Sequence, residues 1–187
     1  MQAEEQPKSQ ARSALREFIE TILFTLLIYF LVRTFLIENY RVVGRSMELT
    51  LQDDQFLVVN KLVYRLHEPQ RGDIIVFRDP RDGDRKLIKR VIGLPGEVLE
   101  IKNGQVFIND RRLQESYIQA MSQRSRPPIP IPADQYFVMG DNRNNSSDSR
   151  DWGTLPQKEI VGKAWLTYWP PSLWGIVPHE VYEGMAP

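Results

Sequence analysis

Residues Phe18–Ile37 read FIETILFTLLIYFLVRTFLI, an almost unbroken apolar run, and this run constrains the chain more than any other feature. At about 1.5 Å per residue these 20 positions predict a helix of roughly 30 Å, the thickness of a bilayer's hydrocarbon core. Glu20 and Arg33 interrupt the run, which leaves 12 charge-free residues from Thr21 to Val32. A buried core helix of that length would carry one apolar stripe. Here Ile22, Leu23, Phe24, Leu26, Leu27, Ile28, Phe30 and Leu31 surround the helix on all sides, while Glu20 and Arg33 lie near its ends, where their heads reach the interface. A cleaved signal peptide would need a short basic start and a small-x-small site after the apolar run. The start is instead long and mixed in charge, and Glu38-Asn39-Tyr40 follows the run. The expectation is an uncleaved single-pass anchor at 18–37 behind a polar tail at 1–17. Charge does not orient it: Lys8, Arg12 and Arg16 precede the run, and Arg33, Arg41 and Arg45 follow it.

Past residue 38 the texture changes to short β-branched and aromatic runs, such as Phe56–Val59, Ile74–Phe77, Val98–Ile101, Val106–Ile108 and Tyr136–Met139. Turn signals separate them, among them Asp82-Gly83, Leu94-Pro95-Gly96 and Asn103-Gly104. Asn103-Gly104 predicts a two-residue hairpin. Residues 123–132, QRSRPPIPIP, read as an extended loop with four prolines. The fold class expected is mainly β: an antiparallel, β-barrel-like catalytic domain at 38–187 behind one transmembrane helix.

Composition narrows the chemistry. The chain has no cysteine, which excludes a disulfide framework, a thiolate metal site and a cysteine nucleophile. The two histidines, His67 and His179, are too few for a histidine-rich metal site. Lys plus Arg total 24 and Asp plus Glu total 24, a balance that argues against a nucleic-acid face. No metal or organic cofactor is suggested.

Four segments could carry chemistry: Gly44-Arg45-Ser46-Met47; Arg71-Gly72-Asp73; Lys89-Arg90-Val91-Ile92-Gly93-Leu94-Pro95-Gly96-Glu97; and Gly140–Arg150, GDNRNNSSDSR, closing with Trp152-Gly153. Singly each has a bland reading, as a turn hydroxyl, a surface lysine or a solvated loop. The last segment fails as a calcium loop, because Ser146 stands at the sixth position from Asp141 and Trp152 at the twelfth.

Together, in this order and behind an anchor, the segments resemble bacterial type I signal peptidase, the membrane-bound serine protease that removes signal peptides from exported proteins. The resemblance covers about residues 18–170. It implies a Ser/Lys dyad, with Ser46 as nucleophile and Lys89 as general base. A hydroxyl is a weak nucleophile until a base takes its proton. A lysine can do so only when neutral, which near neutral pH needs a pKa depression of roughly 3 units. Leu87-Ile88 and Val91-Ile92 supply apolar neighbours, and Arg90 should point the opposite way along a strand, toward solvent or an acid.

The resemblance further implies that Ser146 orients the lysine amine, that Asp148 and Arg150 brace the site, and that Gly140 and Asp141 belong to the same motif. The Ser46 N–H would serve the oxyanion hole. Gly44 stands where some members carry a second hydroxyl donor, and Leu49 where the family usually has proline. Specificity for small residues, as in Ala-x-Ala, is implied, with Tyr40, Val42, Leu57 and Ile88 near the pocket-lining positions. Implied partners are preprotein signal peptides and membrane lipid, with the catalytic domain outside the cytoplasm; the oligomeric state is not readable.

Trp165, Trp169 and Trp174 read first as core contacts of a closing strand and alternatively as an interfacial patch, with Met47 in the same patch. Two other functions compete. A self-cleaving repressor-like Ser/Lys protease would carry a DNA-binding domain in place of the anchor. A non-catalytic tethered β module would have lost Ser46 or Lys89. A penicillin-binding type of enzyme is weaker still, since no Ser-x-x-Lys occurs.

Overall fold

The structure, a computed structural model, describes residues 6–118 and 122–182. The chain divides into two compact units, residues 1–37 and 38–187.

The first unit is helical. Helix α1 spans Gln6–Leu31 and ends in a π-helical turn, Val32–Leu36. It therefore starts within the segment read as a polar tail, of which residues 1–5 lie outside the described residues. Between Ser13 and Leu36 it is long and apolar enough to cross a membrane. Its large side chains are exposed all round, from 42% at Ile22 to 64% at Phe24, so no face is reserved for a protein core. Polar groups within it are satisfied locally. Thr21 and Thr25 hydroxyls donate to the carbonyls of Glu17 and Thr21, each at 2.8 Å, and Arg16 pairs with Glu20 one turn away.

The second unit is antiparallel β, as the alternating runs predict. In chain order its strands are β1 (Ile37–Arg41), β2 (Phe56–Asn60), β3 (Ile74–Asp79), β4 (Asp82–Gly93), β5 (Val98–Lys102), β6 (Gln105–Ile108), β7 (Arg111–Arg112), β8 (Arg126–Pro130), β9 (Gln135–Met139), β10 (Leu155–Pro156), β11 (Ile160–Trp169) and β12 (Gly175–Ile176). The larger sheet runs β1-β2-β11-β3-β4-β9-β10, with β12 beside β11; the smaller runs β7-β6-β5-β8. Neither sheet closes on itself, so "barrel-like" describes them only loosely. Two short helices, α2 (Val63–Leu66) and α3 (Ser149–Trp152), decorate the larger sheet.

The Asn103-Gly104 hairpin forms as expected. Lys102 pairs with Gln105, and both turn residues have positive φ, +49° and +79°, as a primed turn requires. The proline-rich segment departs from its reading as a loop. Residues 126–130 form β8, an edge strand of the smaller sheet, with Leu99 opposite Ile129 and Val98 opposite Pro130. An edge position suits proline, because one side of the strand needs no N–H donor.

β4 does most to position the site. From Lys86 to Arg90 it pairs with β3, through Val76↔Ile88, Ile75↔Lys89 and Ile74↔Arg90, and beyond a bulge Asp82 pairs with Asp79. On its other side β9 begins only at Arg90↔Met139. The stretch from Asp82 to Lys89 thus leaves one edge unpaired by strand. Ile74, Val76 and Ile88 bury with Val42, Met47, Leu51, Leu57 and Val59 in one apolar cluster. Met47 is fully buried there, which corrects the idea that it joins a surface patch. The tryptophans are corrected the other way. Trp165, Trp169 and Trp174 are exposed and not core contacts, and Ile176 of β12 is exposed beside them in the chain.

Candidate active site

Ser46 is delivered by a tight turn after β1. Gly44 has φ +88°, a left-handed conformation that side chains resist, and its N–H donates to Asp53 at 2.8 Å. The residues after Ser46 coil, with the N–H groups of Thr50 and Leu51 both donating to the Met47 carbonyl. Among the described residues the Ser46 N–H has no acceptor. Its carbonyl accepts from the Asn142 N–H at 3.0 Å, which ties the serine turn to the Gly140–Asn142 loop.

Lys89 reaches Ser46 from β4. Its Nζ lies 2.7 Å from Ser46 Oγ and donates to the Ile88 carbonyl at 2.8 Å. These residues are 43 apart in sequence, so the contact is purely tertiary. Lys89 is only 3% exposed, and among the described residues no carboxylate pairs with it. Burial pushes its pKa down to about 8; the charge of Asp148 opposes the shift, and Arg85 adds to it.

The loop after β9 supplies the rest of the motif. Asp148 accepts from Arg150 Nε and Nη2, both at 2.8 Å, and from the Gly140 N–H at 2.9 Å. Burial alone would raise the Asp148 carboxyl, but Arg150 and the Gly140 N–H hold it below the ordinary carboxylate range. Gly140 admits no side chain, since a Cβ there would collide with Ser146 Oγ and the Ser46 carbonyl. Asp141 accepts from Arg90 Nε at 2.9 Å and Nη2 at 2.7 Å, and from Thr50 Oγ1 at 2.5 Å. Arg90 therefore faces away from the dyad toward an acid.

One placement differs from what the resemblance implies. Ser146 Oγ is buried beside Asp148, whose carboxylate it helps to stabilise, and Lys89 Nζ bonds the Ile88 carbonyl rather than Ser146. The pocket residues divide. Tyr40 and Ile88 line a cleft of about 290 Å³ that holds Ser46 and Lys89, while Val42 and Leu57 are fully buried in the cluster that includes Ile88. Arg81, Arg85, Asn145 and Ser147 also line this cleft. Nothing in their residue types singles them out, so the sequence reading passed over them. Thr50 was missed as well; only the fold puts it against Asp141, while Asn142, within the Gly140–Arg150 motif, lies against Ser46 as a structural residue would.

His179 serves the backbone. Its Nδ1 accepts from the Ile74 N–H at 3.0 Å, and its Nε2 lies 2.9 Å from the Ala164 carbonyl. Burial lowers its pKa to about 4, so it stays neutral in that bridge. His67 is exposed, and neither histidine lines the cleft.

Comparison with known proteins decides the family. The family described as "Signal peptidase, peptidase S26" matches residues 15–169. The chain belongs to this family. It is 43% identical over 168 residues to a probable signal peptidase I-1 of Synechocystis sp., covering 86% of each chain. It is 42% identical over 176 residues to signal peptidase I of Leptolyngbya laminosa, covering 90% of this chain and 85% of that one. A solved signal peptidase I from Enterococcus faecalis aligns at a TM-score of 0.47 and 34% identity, over 52% of this chain and 97% of that chain. As a member of this family the chain is a serine peptidase and hence a hydrolase. Its apolar N-terminal helix fits a membrane anchor.

Proposed function

We propose that this protein removes N-terminal signal peptides from exported preproteins after an Ala-x-Ala-like site, with Ser46 as nucleophile and Lys89 as general base. One observation carries the reading: a buried lysine, with no carboxylate partner among the described residues, lies 2.7 Å from the hydroxyl of Ser46.

In this mechanism neutral Lys89 takes the Ser46 proton as Oγ attacks the scissile carbonyl carbon. The unengaged Ser46 N–H donates to the developing oxyanion. The Lys89 ammonium then protonates the departing amine, and its restored neutral form activates the water that hydrolyses the acyl-enzyme. Gly44 offers no hydroxyl to the oxyanion, so the second donor is a backbone group or water. Asp148 and Arg150 brace the loop, Gly140 lets it approach Ser46, and Asp141 locks it to β4 through Arg90. Ser146, buried beside Asp148, turns its hydroxyl toward the amine when substrate displaces the resting bonds. No metal or organic cofactor enters.

The unpaired edge of β4 suits an extended substrate. The Lys86 carbonyl accepts from the Tyr40 hydroxyl and the Ile88 carbonyl from Lys89, so both carbonyls point away from β3. A peptide strand added there would bring its small side chains against Tyr40 and Ile88, with Val42 and Leu57 forming the floor. The anchor places residues 1–17 on the cytoplasmic side and 38–187 outside. The exposed tryptophans rest on lipid, where their amphipathic rings are favoured.

The test is cleavage of a preprotein by wild type, Ser46→Ala and Lys89→Met. Loss of cleavage in both variants is expected. Full activity in either sinks the dyad.

A further inference from the structure

The cleft around Ser46 and Lys89 has a charge imbalance that the dyad does not use. Arg45, Arg81 and Arg85 line it with Lys89, and among the described residues no carboxylate does. The three arginines are not equivalent. Arg81 is neutralised by Asp79, with Nε and Nη2 donating at 2.9 and 2.8 Å, and its Nη1 donates to Ser147 at 3.2 Å. Arg45 has Glu48 at 3.8 Å. Arg85 is exposed, and among the described residues it has neither an ion-pair nor a hydrogen-bond partner.

Position gives that free charge a target. Arg85 lies on β4 four residues before Lys89, within about 13 Å along the strand, in the bulge between Asp82 and Lys86. Between them lie Ile88 and the Lys86 carbonyl that Tyr40 holds. Tyr40 and Ile88 are the pocket walls of the reading above, on which this inference rests. Arg85 therefore stands beyond the small-residue pockets as seen from Ser46, alongside the part of the substrate that precedes the cut.

We propose that Arg85 is a specificity-determining residue that favours an acidic side chain about four residues before the scissile bond. The carboxylate of the substrate completes a pair that the protein leaves open. A lysine in that place meets the exposed guanidinium and is disfavoured. Salt weakens both effects, because the guanidinium is exposed.

The experiment uses the full chain in detergent micelles and three peptides that share an Ala-x-Ala site. They carry Asp, Ala or Lys four residues before the cut. Wild type is expected to cleave the Asp peptide with a kcat/KM about fivefold above the Lys peptide, the size of an exposed ion pair. Arg85→Glu reverses the order, Arg85→Lys keeps it, and 0.5 M salt (roughly a 4 Å screening length) flattens it. Each ratio is taken within one variant, so loss of folded protein cancels. The same order in Arg85→Glu as in wild type overturns the proposal, and so do equal rates of wild type on all three peptides. If wild type cleaves none of them, the peptidase reading itself fails.

Discussion

Lys89 and Arg90 are neighbours on β4, both are buried, and the fold houses them in opposite ways. On one face of the strand Lys89 has a serine hydroxyl and a carbonyl for company and no paired acid. On the other face Arg90 has both oxygens of Asp141, the Gly72 carbonyl at 2.9 Å and the ring of Tyr117 at 4.1 Å. Both cations lose their water. Arg90 receives full compensation, which fixes its charge and knits the Gly140 loop to the sheet. Lys89 does not, so its proton is loosely held. The contrast teaches that burial alone does not mark a functional cation. Burial without a counter-charge does.

The comparison can be broken by experiment, starting where the expected effect is greatest. Ser46→Ala and Lys89→Met should each lower kcat by at least roughly 10³-fold, and the double variant should lose little more, because the two act as a unit. Single-turnover cleavage would check this. Multiplicative losses would separate the pair.

On the opposite face, Arg90→Met should destabilise the β unit by about 3–5 kcal/mol, since it leaves the Asp141 carboxylate buried without its partner. Chemical unfolding reads this directly. An unchanged midpoint would mean that water already compensates Asp141.

Lys89→Met should act in the other direction on stability. The folded pKa of Lys89, about 8, lies below its ordinary 10.5, so the unfolded chain binds the extra proton between those values and stability rises with pH there. At pH 7 the depression costs about 3 kcal/mol, which the methionine removes. The gain should shrink as pH climbs toward 10.5. A gain that ignores pH would show that packing, not charge, is responsible.

The same pKa sets the rate profile. Activity should climb through pH 8 as Lys89 loses its proton and then level off. A flat profile from pH 5 to pH 9, with chemistry limiting, would remove the neutral-lysine base. Ser146→Ala carries the smallest effect, about a fivefold fall in kcat, the size of one hydrogen bond, read by single-turnover cleavage.

Much of this was legible in the residues. The β runs and the Asn103-Gly104 hairpin follow from alternation and turn chemistry, which act over a few residues. Arg90 was expected to turn away from Lys89, toward solvent or an acid, because successive strand residues alternate in direction. Other features were not legible. The prolines at 127, 128 and 130 suggested a loop, and only the free edge of the smaller sheet made room for them in a strand. The three tryptophans looked like core, and Met47 like surface, because sequence does not say which side of a sheet another element covers. The cleft-lining Arg85 has no motif, and its standing depends on which acids lie near it in space.

By itself the sequence determined the kinds of chemistry open to this protein. An apolar run of membrane length, the absence of cysteine and ordered serine, lysine and glycine-aspartate motifs are all written in local composition. The tertiary structure alone decided the state of those groups. It brought Lys89 to Ser46 across 43 residues, gave Arg90 a counter-charge and withheld one from Lys89. Desolvation and pairing depend on everything packed around a group, and that is a property of the folded chain.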